Sequence, residues 1–454
     1  MNYKQYRKME TILLDSVEQL TDDLVERLIQ KHKFEGIPRL EKLRDYYAGK
    51  QDILKRTFAD GSKPNNRIVA NFCKMISDIT QGYFMGTPIN YISSDEDFLI
   101  QLQDIYNYNN EKNQNSLLAK DASIFGVGYE LLYLDNEANI KMVTLPAEEI
   151  IMIYSTDLEK KPLGAIRHYK VKNYLHPEYD LERVEVYTNK IIRFYESIGG
   201  ALEFLREEPH YFGICPIIPY MNNDEELGDF EGIMSLQDAY NSAVSDQAND
   251  FEYMADSYLV ITGAEDTEDE EFMNMKQNRL ILLNETGTAS WLAKQTDNAT
   301  IESYKNRLTK DIHRFSNVPD INSEEFTNDI SGSALKYRWQ SMEQSCSNKE
   351  RLFADGLLDR QKAICNILTI KGFGFNYASV TPIFKRNIPV NSNEVIQIIS
   401  TLNGMVSKET LLAQLPFIDD VQLELERIEK EQVDPYHDGE NFFNLPNPPA
   451  EEEE

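Results

Sequence analysis

The stretch from Ile301 to Gly372 constrains this chain more than any other, because it predicts two helices of very different length joined by a polar loop. Apolar residues recur at steps of three and four from Ile301 to Phe315, which predicts a short amphipathic helix. Pro319 ends it, because proline has no N–H and restricts the residue before it. A second stripe, from Ala334 to Gly372, predicts a helix roughly 55 Å long. Such a helix is too long for the core of one small domain and suits a subunit of a large assembly.

The charge balance is strongly acidic. The 454 residues include 46 Lys and Arg against 76 Asp and Glu, a formal net charge of −30. This argues against a protein that grips nucleic acid with a basic face, because such binding depends on neutralising phosphates. It does not exclude a protein through which DNA passes. Hydrophobic residues make up 41% of the chain, which is enough for a substantial core.

The sequence shows no catalytic or metal-binding pattern. The carboxylates from Glu265 to Glu271 are too dense for a metal site and include no histidine, so a solvated loop is the better interpretation. The GxG triplets at 126–128 and 372–374 are not followed by the lysine of a phosphate loop. Neither a signal peptide nor a membrane-spanning run is visible. We therefore predict no enzymatic activity, no cofactor and no metal. Four cysteines are predicted to be free buried thiols in a reducing compartment: Cys73, Cys215, Cys346 and Cys365.

Taken in order, the chain predicts an α+β fold that is mainly α. Helices are expected up to Phe125, including one from Arg67 to Tyr83 and a break at Gly36-Ile37-Pro38. A period of two then predicts a β meander between Tyr129 and Tyr195. A hinge is expected over residues 209–223. The remaining predicted elements are a helix at 230–254, strands at 258–262, 279–283 and 290–292, the helices at 301–315 and 334–372, and three helices between 391 and 432.

Four stretches in register carry a family resemblance. They are Arg67–Phe72 through Ile89, Phe212–Ile218 through Asn241, Val318–Phe326 with Ser331–Lys336, and Val406–Leu412 with Pro416 and Asp420. Together they cover about residues 36–432. In these stretches the chain resembles the portal proteins of tailed bacteriophages, in the group typical of long-tailed phages and prophages of Gram-positive bacteria.

The resemblance implies an elongated subunit with named parts. They are an N-terminal arm (1–35), a wing (36–228), a stem helix (229–257), a clip (258–299), a second stem helix (300–318), a tunnel loop (319–333), a long wing helix and strand (334–390), crown helices (391–432) and an acidic disordered tail (433–454). It further implies a homo-oligomeric ring, usually of twelve copies, at one capsid vertex in the virion, assembled in the host bacterial cytoplasm. Double-stranded DNA would pass through the ring without sequence-specific recognition, and no membrane is involved.

The resemblance also implies two functional sites and several partners. The tunnel loop would approach DNA through Glu324, Glu325, Asn328, Asp329, Ile330, Ser331 and Gly332. The clip would dock the terminase large subunit and later a head-completion or adaptor protein through Glu265, Asp266, Glu268, Asp269, Glu270 and Arg279. The major capsid and scaffolding proteins are the other implied partners.

Two other functions compete with this one on the sequence alone. One is a different acidic virion protein, such as an adaptor or minor head protein, that has similar helices but forms no channel. The other is a metal-dependent nuclease that uses the acidic clusters. Particle mass separates the first from a ring, and a Mg²⁺-dependent nicking assay tests the second.

Overall fold

The computed structural model describes most of the chain. Its residues are 10–59, 64–172, 181–198, 201–255, 258–262, 288–292, 298–321, 332–387, 399–402, 404–412, 415, 418 and 421–433. They fall into two compact units, one within residues 1–328 and 337–387 and the other within 329–336 and 388–454. The fold class is α+β and mainly helical, as predicted.

The N-terminal segment is built into the fold. Strand β1 (Ile12–Leu14) is followed by helices α1 (Asp22–Lys31) and α2 (Ile37–Tyr47), and a five-residue π-helix, His32–Gly36, joins the two helices. The predicted break at Gly36-Ile37-Pro38 is therefore wrong. Pro38 is the second residue of α2 and directly follows the π-helix, so the helical backbone continues through it. Residues 12–31, assigned to an arm from the sequence, belong to the same core as the β-rich block that follows.

A second helical block follows an extended segment. It contains α3 (Phe72–Met85), β2 (Asn90–Ser93), α4 (Glu96–Tyr108) and α5 (Glu111–Phe125). The side chain of Asn71 caps α3 by accepting from the N–H of Lys74 at 3.2 Å. The prediction that this helix starts at Arg67 is wrong, because residues 64–71 run extended along another helix.

The β-rich block is longer than predicted. Its strands are β3 (Val127–Leu134), β4 (Ile140–Leu145), β5 (Ile150–Ser155), β6 (Pro162–Val171), β7 (Leu181–Tyr187), β8 (Ile191–Ile198), β9 (Ala201–Pro209) and β10 (Ile217–Met221). Strands β5 to β8 of the predicted meander, extended by β9, form one six-stranded sheet, whose other edge is β1, parallel to β5. Strands β3 and β4 were predicted in the same meander but lie in a different sheet. A second sheet has the order β10-β3-β4. The predicted hinge at 209–223 thus contains a strand.

The C-terminal half carries the long helices. Its elements are α6 (Met234–Ala255), β11 (Tyr258–Thr262), β12 (Thr288–Leu292), α7 (Asn298–Ser316), α8 (Gly332–Ile370), β13 (Val380–Ile383), α9 (Lys408–Leu412) and α10 (Val421–Val433). Helix α8 has 39 residues. Strand β13 pairs with β2, although the two are far apart in the sequence. The predicted strand at 279–283 and the tail from 434 onward lie outside the described residues, as does the start of the predicted helix at 391.

Apolar clusters among the described residues hold the first unit together. The larger joins residues of α2, α3, α5 and both sheets with Phe230, Ile312 and Val318. The predicted wing and stem regions therefore share one core. A smaller cluster packs Val25, Ile29 and neighbouring residues of α1 against the six-stranded sheet. Burial of these side chains, at about 25 cal/mol per Å² of apolar surface, is the main stabilising term.

Candidate functional site

The predicted tunnel loop is described only at its two ends. Helix α7 stops at Ser316, and Asn317 takes a left-handed conformation with φ 58°. The ring of His313 then contacts the carbonyl of Val318 through Nδ1 at 3.1 Å, and Val318 itself is buried. The entry to the loop is thereby anchored. Gly332, placed in the loop by the sequence, is the first residue of α8. The other predicted loop residues lie outside the described part: Glu324, Glu325, Asn328, Asp329, Ile330 and Ser331.

Within the predicted clip, the structure describes the strands β11 and β12 and residues 298–299. Strands β11 and β12 pair antiparallel, with Tyr258 opposite Leu292 and Thr262 opposite Thr288. The sequence predicts β11 with the same bounds. The six predicted docking residues lie outside the described part: Glu265, Asp266, Glu268, Asp269, Glu270 and Arg279.

Helices α6 and α7 flank this strand pair and contact each other. Lys305 of α7 donates from Nζ to Oε1 of Gln247 of α6 at 2.8 Å, and Nε2 of Gln247 donates to Glu302 at 3.2 Å. Lys305 and Glu302 also form an ion pair at 2.6 Å. These polar contacts set the register between the two helices.

A ladder of polar side chains on α6 binds the extended segment before α3. Its four members recur at every fourth residue and are buried, although each is polar. Their side-chain oxygens accept from four alternate backbone N–H groups at distances between 2.7 and 2.9 Å. The pairs are Gln237 with Phe72, Asn241 with Ala70, Ser245 with Ile68, and Asn249 with Asn66.

The four hydrogen bonds of this ladder can form in succession because the repeat distance along the helix matches the repeat distance along the extended segment. Four residues of α-helix advance about 6 Å, and two residues of extended chain advance about 6.6 Å. Helix α6 therefore takes the place of a neighbouring strand for this segment. The sequence does contain the signal, polar residues spaced by four, but a solvent-exposed helix face has the same pattern. Sequence reasoning consequently missed it and extended α3 to Arg67.

A buried ion pair fixes the C-terminal half of α8. Arg360 donates to both carboxylate oxygens of Glu130 on β3, from Nε at 2.8 Å and from Nη2 at 2.9 Å, and both side chains are 0% exposed. Nη2 also donates to Asn115 at 2.8 Å, and Tyr220 donates its O–H to Glu130 at 2.8 Å. Burial raises the pKa of nearby Glu111, an effect that Arg360 opposes. The bidentate geometry specifies how α8 lies on the second sheet.

The acidic residues just before α6 have a similar structural role. Asp229 accepts from Lys349 Nζ at 2.5 Å and from Ser123 Oγ at 2.6 Å, which ties α8 to α5. Glu231 pairs with Arg39 of α2 at 2.6 Å. The stretch Gly228–Glu231, part of the family resemblance, is thus a joint between helices rather than a chemical site.

The described residues include no cluster of metal-ligating side chains. Among them, no group of three or more His, Cys, Asp and Glu side chains could hold a metal ion. The four cysteines are free and buried, as predicted. In the part of the chain that the structure describes, no helix has both the length and the hydrophobicity that a membrane crossing requires.

Comparison with known proteins gives consistent results along the sequence. Residues 26–434 match the family described as phage portal protein, SPP1 Gp6-like. The portal protein of Bacillus phage SPP1 is 25% identical, over 93% of this chain and 90% of that protein. The portal protein of Clostridium phage phiCD119 is also 25% identical, over 84% of this chain and 89% of that protein.

Solved structures give weaker similarities. A chain from the neck of a native gene transfer agent particle, computed with C12 symmetry, has a TM-score of 0.44 and 12% identity over 76% of this chain and 89% of that chain. A chain from the virion of a native gene transfer agent particle has a TM-score of 0.45 and 11% identity over the same shares. The sequence match, which includes both flanking helices, the strand pair between them and helix α8, decides the assignment: this chain belongs to the phage portal protein family.

Proposed function

We propose that this chain assembles into a ring, of twelve copies in the particle, around a channel through which double-stranded DNA is packaged and later ejected. The family match over residues 26–434 carries the proposal, because it includes every element that would build such a channel. Portal proteins are structural components of the capsid vertex that form rings. We therefore assign this chain a mechanical role without catalysis, in a virion assembled in the host cytoplasm.

The segment at 319–333 is our candidate for the part that meets the duplex. It contains four carboxylates and no Lys or Arg. Repulsion between these carboxylates and phosphates would keep DNA from sticking and is screened beyond about 8 Å at physiological salt. Ser331 and Gly332 are small residues that give the backbone freedom where several copies would crowd a narrow bore. Its contacts would not depend on base sequence.

The segment between β11 and β12 is our candidate for the docking platform. It carries the acidic run 265–271 and emerges from a strand pair held between α6 and α7. An acidic segment suits partners with basic surfaces, and charge complementarity of this kind speeds association. The partners proposed are the terminase large subunit and then a head-completion or adaptor protein, with capsid and scaffolding proteins at the periphery.

Ring formation is tested by the mass and image of the purified protein. A ring near twelve times 52.5 kDa with an axial hole is expected. A monomer, or a compact dimer without a hole, would support the competing adaptor or minor head protein instead. The nuclease alternative predicts Mg²⁺-dependent nicking of a supercoiled plasmid, and we expect none.

The loop is tested by deletion. Removing residues 328–332 should leave rings intact while reducing the DNA that particles protect from nuclease. The matched control removes residues 450–454 from the acidic tail and should package normally. Normal packaging by the loop deletion would rule out its contact with DNA, while the ring itself would still stand.

A further inference from the structure

The outward face of α7 differs in charge from the rest of the chain. Leu308 and Ile312 are buried and mark the inward side of this helix. The opposite side is exposed along its length and carries Ser303, Asn306, Arg307, Lys310 and Arg314. No carboxylate interrupts this face, although the chain has 76 acidic and 46 basic residues. Helix α6, the neighbour of α7, contains no Lys or Arg.

Carboxylates of α7 neutralise this face only at Arg307. Glu302 is engaged by Lys305 at 2.6 Å, away from it. Asp311 pairs with Arg307 at 2.7 Å, yet the Arg307 side chain stays 72% exposed. Lys310 and Arg314 form no hydrogen bond or ion pair with other described residues. Two cations of this face are therefore free to bind a ligand, and the third is largely accessible.

The helix dipole explains only part of the pattern. Cations near a helix C-terminus are stabilised by the carbonyl ends, but the effect fades within the last turn. Arg314 lies in that turn, whereas Lys310 and Arg307 lie before it. Like charges spaced by three or four residues repel by a few tenths of a kcal/mol. Stability alone would not favour three such residues on one face.

The spacing of the cations fits a phosphate backbone. Arg307 and Arg314 are seven residues apart, which is about 10.5 Å along the helix. One DNA strand advances about 3.4 Å per phosphate, so this face spans about three phosphates. The face also directly precedes the segment at 319–333. We infer that Arg307, Lys310 and Arg314 bind the phosphate backbone of double-stranded DNA, which rests on the proposed channel function.

Such contacts would position the duplex without reading its sequence. Each copy in the ring would present the same short cationic face inside an acidic protein. Weak attraction between the α7 cations and DNA at one level of the channel, with repulsion by acidic residues elsewhere, would keep the duplex near the ring axis while permitting it to slide. Binding of this kind releases counterions, so it weakens steeply as salt rises.

The first experiment replaces Arg307, Lys310 and Arg314 by Gln and measures binding of a duplex of about 60 base pairs to purified rings. We expect affinity at about 50 mM salt to fall at least tenfold, and the salt slope to fall by about 0.9 for each phosphate that is no longer neutralised. The matched control changes Lys50, Lys112 and Arg351 to Gln, three exposed cations elsewhere. This control variant has the same net charge as the triple Gln variant of α7 and should bind the duplex like the unmodified protein. An equal fall in affinity for the two variants would overturn the inference.

A second pair of variants separates charge from folding. Arg307→Lys with Arg314→Lys keeps all three cations and should retain affinity within about threefold. If the affinity of this conservative variant falls as far as that of the Gln variant while its rings remain intact, the face has a packing role and the inference is wrong.

Crosslinking in particles then identifies what touches the face. A photoreactive benzophenone residue at position 310 should crosslink to DNA during packaging, whereas the same group at position 112 should not. Crosslinks from position 310 to another copy of the chain would make the face a subunit interface and overturn the inference. If the unmodified protein forms no ring, the proposed function itself fails, so the two failures are distinguishable.

Discussion

Two sets of cations in this protein have opposite environments. Arg360, in the C-terminal half of α8, is completely buried and bound by Glu130 with bidentate geometry. Lys310 and Arg314, on α7, are exposed and bind no described residue. Both sets belong to a chain with a net charge of −30.

The difference shows how a cation is used in an acidic protein. A buried guanidinium specifies one packing arrangement, because removing either partner leaves an uncompensated charge in a dry interior. An exposed cation without a partner adds little to stability and remains available to a ligand. Variants at the two places should therefore separate effects on folding from effects on binding.

The largest effect on stability is expected at the buried pair. Arg360→Met would leave Glu130 and Glu111 without their cation and should destabilise the fold by about 3–5 kcal/mol. Thermal unfolding of purified protein measures this change. Adding Glu130→Gln to the variant should restore part of the stability, because one buried charge is then removed as well.

The matched control for this pair is Arg351→Met on the exposed side of the same helix. We expect a change within about 0.5 kcal/mol, as at most surface positions. If the variants at positions 351 and 360 unfolded at the same temperature, the buried pair would have no special role.

Acidification should charge a second buried site. His32 and His168 are both buried, with Nδ1 of His32 2.8 Å from Nε2 of His168. Burial, with a contribution from His168, lowers the pKa of His32 from 6.5 to about 4. The unfolded chain then takes up this proton near pH 6.5 and the folded chain only near pH 4. The free energy of unfolding is therefore highest above about pH 6.5, where His32 is neutral in both states. It falls by up to about 3 kcal/mol as the pH drops toward about 4, because only the unfolded chain takes up the proton in this range.

The measurement is the unfolding midpoint between about pH 7.5 and about pH 4.5, with His32→Gln as the comparison. The variant cannot take up the proton, so its midpoint should vary less with pH than that of the unmodified protein. The carboxylate of Glu182, 3.4 Å from His168, has a pKa lowered to about 2, so its protonation belongs to more acidic conditions. Parallel profiles for the two proteins would contradict this account.

A smaller effect is expected at the ladder on α6. Asn241→Ala removes the acceptor for the N–H of Ala70 and leaves that half-buried group without its partner. An unsatisfied buried donor costs about 1–3 kcal/mol. Hydrogen exchange should become faster at the amides of Ala70 and Ile68. Ser242→Ala, one residue along the helix, is the control and should leave exchange at both amides unchanged.

The smallest effect on stability is expected on α7. Lys310→Gln with Arg314→Gln should shift the free energy of unfolding by no more than about 0.5 kcal/mol, most of it because Arg314 no longer interacts with the helix end. A decrease above about 1 kcal/mol would show that these side chains are packed, and the contrast with Arg360 would disappear.

Local patterns in the sequence predicted many elements close to their observed positions. The period-two runs predicted β3 to β8 to within a few residues, and the apolar stripe predicted a helix at 334–372 where the structure has α8 at Gly332–Ile370. The acidic composition and the absence of catalytic motifs favoured a structural role. Each of these inferences depends only on neighbouring residues and on periods of about 2 or 3.6.

Features that depend on distant partners were missed. The extended conformation of residues 67–71 comes from side chains on α6, such as Asn241, which lies 171 positions after Ala70. The π-helix before Pro38 places His32 beside His168 on the six-stranded sheet. Strand β9 is rich in charged residues and was not predicted from the sequence, because it forms through pairing with β8. The candidate site segments at 265–279 and 324–331 stay predictions.

The ion pair between Arg360 and Glu130 also has a consequence for synthesis. The two residues are 230 positions apart. At a synthesis rate of about 5–20 residues per second, Glu130 emerges roughly 10 to 45 seconds before its partner. During that interval its carboxylate lacks the cation that accompanies it into the dry interior, so we expect this face of β3 to stay hydrated. A chain released before residue 360 cannot complete this layer, which links the end of folding to the end of translation.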